Sequence, residues 1–210
     1  MNTNQNIVGW GFWLAWVLAS IMGFGMGSLL GMSVSYALLS GLGITDEFGV
    51  AHLIMFGTVL GVTSGFLQWV VLREKVARAG RWVLAGTLGF VIAGGILGAI
   101  GINENYITAG FLFAAVFGVA GGIMQWLVLR QQIVRAGLWI LASIFGSLVG
   151  AIGVPAAEAI SAIAPDNYSL STIVFGVLLG AGLGAIPGAV LVWLLRQSQS
   201  RNIEGLATAH

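Results

Sequence analysis

The side chains that could carry chemistry in this 210-residue chain are few: two histidines, seven carboxylates, one lysine and no cysteine. Without cysteine there is no disulfide, no thiolate metal site and no thiol nucleophile. A bis-imidazole haem site needs two facing histidines, but the only companion of His52 is His210 at the end of the tail. A Schiff base of the retinal type needs a buried amine, and Lys75 stands in a charged loop with Arg73, Glu74 and Arg78. Asp46 and Asp166 fall between apolar stretches, away from the shared buried site in which two carboxylates split a proton. Ser64 and His52 would lie about 18 Å apart along one helix, beyond the reach of a nucleophile and its base. The inventory therefore predicts no catalysis and requires no cofactor. His52 is the one candidate ligand, able to hold a metal ion or the magnesium of a chlorophyll-type pigment through its imidazole. The alternative is a packing or interface role. Gln68 and Gln125 are candidate polar contacts, each about 7 Å along a helix from an arginine, and their amides must find partners, either a carbonyl of a neighbouring helix or hairpin or, as a polar lining, a permeant solute. Pro187 joins them: about 13 Å before Arg196, it leaves the Leu183 carbonyl without its N–H donor and bends its helix.

These residues sit in a chain that is 58% hydrophobic and only 7% charged, with a mean hydropathy of +0.99. Soluble domains carry about 25% charged residues to solvate their surface, so this composition defines a membrane protein. A net charge of +1 gives no basic surplus for nucleic acid. Polar clusters divide the chain into six apolar stretches, 9–38, 48–72, 80–102, 106–129, 137–163 and 170–195. Each meets the length of about 20 residues that a spanning helix needs. The expected fold is all-α and polytopic, a single transmembrane domain over 1–210.

An internal repeat organises the stretches. Gln68-Trp69-Val70-Val71-Leu72-Arg73 recurs 57 residues on as Gln125-Trp126-Leu127-Val128-Leu129-Arg130, and Arg78-Ala79-Gly80-Arg81-Trp82 recurs at the same spacing as Arg135-Ala136-Gly137-Leu138-Trp139. Trp16-Val17-Leu18-Ala19-Ser20 and Trp193-Leu194-Leu195-Arg196 are partial copies. The repeat predicts three parallel two-helix units, at roughly 9–75, 76–132 and 133–197, with a tail from 198 to 210. All eight Lys and Arg follow an even-numbered stretch, which places both termini in the cytoplasm by the positive-inside rule. Asp46, Glu47, Glu104 and Asp166 fall on the opposite side. The eight tryptophans read as an inner interfacial belt, and Tyr36, Tyr106 and Tyr168 as an outer one. Glycines at four-residue spacing, among them Gly57, Gly61, Gly65 and Gly176, Gly180, Gly184, Gly188, predict helices packed backbone to backbone. A pore lining or an oligomer surface is the other reading of these rows.

The repeated Q-W-x-V-L-R and R-A-G-x-W-x-L-A segments resemble a group of small, glycine-rich polytopic membrane proteins found mainly in cyanobacteria and other filamentous phototrophic bacteria. The resemblance covers the central two thirds of the chain and brings no catalytic residues with it. It implies a multi-pass protein of a bacterial inner or thylakoid-type membrane, with room for bound lipid or pigment. The expected function is a non-catalytic scaffold or accessory subunit, partnered by the bilayer and by other membrane subunits or a second copy. The rival expectation is a channel or transporter for a small neutral or hydrophobic solute.

Overall fold

The computed structural model describes residues 8–44, 49–101 and 106–207, with the backbone alone at 106–107 and 199–207. Its elements are α1 (Trp10–Gly41), α2 (Val50–Leu72), α3 (Gly80–Ile100), α4 (Tyr106–Leu129), α5 (Leu138–Gly150), α6 (Gly153–Ile163) and α7 (Tyr168–Ala207). Among the described residues there is no strand. Asp46, Glu47, Glu104 and His210 lie outside these residues, as do the side chains of Tyr106 and Arg201.

Six spans are long and apolar enough to cross a membrane, with α5 and α6 together forming the fifth. An apolar segment in a bilayer must satisfy its backbone internally, and the helix is the structure that does so within one segment. The fifth span is broken where a continuous helix was expected, and Pro155 explains the break. Proline has no N–H to donate to the Ala151 carbonyl four residues earlier, and its ring crowds that carbonyl. The Val154 amide donates to Ala151 instead, at 2.9 Å. This tighter turn closes α5 and opens α6.

The spans form a closed ring, each packed on its chain neighbours and α7 returning to α1. The glycine rows set the spacing of that ring. A Cβ on Gly61 would lie 2.6 Å from Thr87 Cα of α3, and one on Gly65 would lie 3.1 Å from Val83 Cα. Gly57 faces the Phe90 carbonyl in the same interface. On α7, a Cβ on Gly176 or Gly180 would lie 2.5 or 2.6 Å from the backbone carbonyl oxygens of Phe24 and Ser20, while Gly184 faces Val17 and Gly188 faces the Trp16 ring. Every row named in the sequence faces a neighbouring helix of the same chain.

One end of the ring carries the basic loops, which are held to each other. Gln132 accepts from the Ala77 amide at 2.9 Å and donates to the Ala77 carbonyl at 2.7 Å, joining the α2–α3 loop to the α4–α5 loop. Arg78 and Arg135, 57 residues apart, both adopt positive φ, at 56° and 64°. Such values are uncommon outside glycine, and here they serve the same turn twice. Arg196 donates from Nε to the Val8 carbonyl at 2.6 Å, which brings the start of α1 and the end of the sixth span to this same end.

Candidate functional site at the bundle centre

Trp16, Trp82 and Trp139 point into the ring and meet edge to face, with centroid separations of 5.6, 6.0 and 5.2 Å. All three are at most 2% exposed. The sequence places them at the depth of an interfacial belt; the structure puts them at that end of the bundle but inside it. Trp10 and Trp193 do face outward. Each edge-to-face pair adds about 0.5–1.5 kcal/mol beyond burial, so the triangle is a substantial clamp on α1, α3 and α5. Around it pack Leu72, Val76, Leu129, Ile133, Leu191 and Leu194.

The glutamines lie just beneath this layer. Gln68 accepts from the Trp82 indole at 2.9 Å and donates to Ser20 Oγ at 3.1 Å, so one side chain links α1, α2 and α3. Gln125 accepts from the Trp139 indole at 3.2 Å. Both glutamines are buried, and their partners are side chains rather than the carbonyls expected. The third indole has no such acceptor: Trp16 Nε1 is fully buried without a hydrogen-bond partner. Its register explains this. Gln68 and Gln125 stand five residues before Arg73 and Arg130, whereas the residue five before Arg196 is Leu191.

Below the glutamines, Phe24, Phe56, Phe90, Phe113 and Phe117 form a second aromatic layer with Leu53, Leu60 and Leu97. Between the two layers is a cavity of about 20 Å³, to which all six spans contribute: Phe24, Gln68, Phe90, Gln125, Ser143 and Leu183 are among its walls. Pro187 reaches it as well, and its ring lies against Gly146 of α5, whose missing Cβ would sit 2.9 Å from Pro187 Cδ. The expected candidates Gln68, Gln125 and Pro187 thus converge on one small space.

His52 does not join them. It is the third residue of α2, at the end of the bundle away from the basic loops, 3% exposed and beside the Tyr36 ring at 5.5 Å. Both ring nitrogens are enclosed without a hydrogen-bond partner. Among the described residues no three His, Cys, Asp or Glu gather as a metal site. Glu158 is exposed on α6, apart from the centre.

The tryptophan triangle and the orphaned Trp16 N–H were not read from the sequence. The signal was present in the 57-residue repeat, which aligns Trp82 with Trp139. Residues recurring in register around a closed ring take equivalent azimuths, but the repeat alone does not tell whether they face the axis, as Trp82 and Trp139 do, or outward, as Leu84 and Leu141 do.

Over the described residues, fold and centre together define an all-helical, multi-pass membrane protein with a small set of buried polar side chains. The chain matches no protein-family model, no curated protein and no solved structure.

Proposed function

We propose that this chain is a non-catalytic membrane scaffold, an accessory subunit that packs beside a larger complex or a second copy of itself. The observation that carries the reading is the double aromatic closure of the axis. The tryptophan triangle and the phenylalanine layer leave only about 20 Å³ between them, and a conducting path needs continuous space across the bilayer. The glycine rows are used within the chain, so an external partner meets large apolar side chains instead. Leu141, Phe145 and Ile152 on the fifth span and Leu14, Met22 and Met26 on α1 are all exposed. Such a surface suits lipid or another membrane protein.

Three finer features belong to the same proposal. The helices form three parallel two-helix units, supported by loops that repeat their hydrogen bonds and their positive-φ arginines at a 57-residue spacing. Both termini face the cytoplasm, supported by the basic loops gathering at one end. The membrane is a bacterial inner or thylakoid-type one, a photosynthetic complex being the partner the family resemblance favours.

Two glutamines and Pro187 on the central cavity favour a second reading, passage of a small neutral solute. The discriminating experiment is native purification in mild detergent with mass determination, beside reconstitution of the chain alone. Scaffolding predicts a stoichiometric assembly with a membrane partner or a second copy. A lone chain that moves solute, with flux lost on Gln68→Leu or Gln125→Leu, would establish the second reading.

A further inference from the structure

The sequence register aligns Ser20, Gly86 and Ser143, each four residues after a tryptophan of the triangle, and aligns Gln68, Gln125 and Leu191. Only the first pairing is complete, with Gln68 Nε2 donating to Ser20 Oγ. In the second the hydroxyl is missing. Gln125 Nε2 stands 3.6 Å from the point where a Cβ on Gly86 would lie. In the third the amide is missing, because Leu191 occupies its place. Among the described residues the Gln125 NH2 and the Ser143 hydroxyl therefore have no hydrogen-bond partner. Both side chains are more than nine-tenths buried, and both line the central cavity. Leu183 lines it too, and its carbonyl has lost its helical donor to Pro187.

We propose that this cavity binds one water molecule, which stands in for the hydroxyl that Gly86 lacks. The water accepts from Gln125 Nε2, exchanges a hydrogen bond with Ser143 Oγ and donates to the Leu183 carbonyl. Size and chemistry agree. A water needs roughly 10–15 Å³ of such space and about three polar partners, and the cavity offers about 20 Å³. A larger solute does not fit between Phe90, Phe117 and Trp139. A buried amide without a partner is costly, so a site of this size beside one is filled rather than dry. Pro187 thereby acts at the centre, by releasing an acceptor toward the bound water.

The test is solid-state NMR of the full chain in lipid, with glutamine side chains labelled and magnetisation started on water. Transfer is expected to be strong to the Gln125 amide and weaker to the Gln68 amide, which lines the same cavity but donates to Ser20. Ser143→Val fills the space and removes one partner, so the Gln125 transfer should fall while the Trp139 indole signal persists. Absence of transfer to Gln125 in the unaltered protein overturns the proposal. So does transfer that is undiminished in Ser143→Val, because the water would then lie elsewhere. A structure in lipid that resolves ordered waters gives an independent reading: density within hydrogen-bond distance of Gln125 Nε2 and Ser143 Oγ supports the site. A Gln125 amide turned to a protein acceptor refutes it.

Discussion

Gln68 and Gln125 occupy aligned positions but carry unequal loads. Gln68 satisfies two buried groups, the Trp82 indole and the Ser20 hydroxyl, whereas Gln125 has one protein partner, the Trp139 indole. Leaving a buried donor unpaired costs about 1–3 kcal/mol. Gln68→Leu should therefore lower the melting temperature in detergent more than Gln125→Leu, and equal shifts would show that the Ser20 bond adds nothing. The converse change is Leu191→Gln, which offers an acceptor to the orphaned Trp16 N–H. It should hold or raise the melting temperature, unlike an ordinary buried Leu→Gln change. A fall as large as that of Leu194→Gln, made in the same buried cluster, would remove the register argument. Depth along the bundle was legible for these residues, because distance from an arginine is counted along the helix. Azimuth was not. An indole at headgroup depth satisfies the same sequence rule whether it faces lipid, as Trp10 does, or the axis, as Trp16 does. His52 shows the same limit, lying near the expected end of α2 yet packed inside against Tyr36.

At the scale of elements, close backbone approach decides which substitutions are tolerated. Gly61→Leu would drive a side chain into Thr87 Cα, and Gly180→Leu into the Ser20 carbonyl. Overpacking of this kind costs about 1–3 kcal/mol or more, and thermal unfolding should show it, with Ala15→Leu on the exposed face of α1 nearly neutral. Equal melting shifts at all three sites would mean that the glycine rows do not set the helix spacing. The third and fourth spans were legible almost to the residue, whereas α7 runs on to Ala207, past the stretch expected over 170–195. The stretch expected over 80–102 became Gly80–Ile100, and that over 106–129 became Tyr106–Leu129, because hydropathy ends where charge begins. The break between α5 and α6 was missed. A mean over about 20 apolar residues does not register one proline, although Pro155 removes the one donor that would have carried the helix through Ala151.

For the whole molecule, the closing of α7 on α1 makes the ring, and no local pattern announces such a contact. It is produced by Gly176, Gly180, Gly184 and Gly188 meeting α1 along its length. Orientation is testable directly, since the chain has no cysteine of its own to confuse labelling. A single cysteine at Lys75 should be protected from an impermeant reagent in intact cells, and one at Glu104 should be labelled; the reverse pattern would invert the topology.

The proposed scaffold role rests on an axis sealed by the tryptophan and phenylalanine layers. Uptake of a panel of small neutral solutes by liposomes containing the purified chain tests it most directly. The predicted result is uptake no faster than in protein-free liposomes, for the native chain and for Pro187→Ala alike. Uptake well above that background, abolished by Pro187→Ala or by loss of either central glutamine, would contradict it.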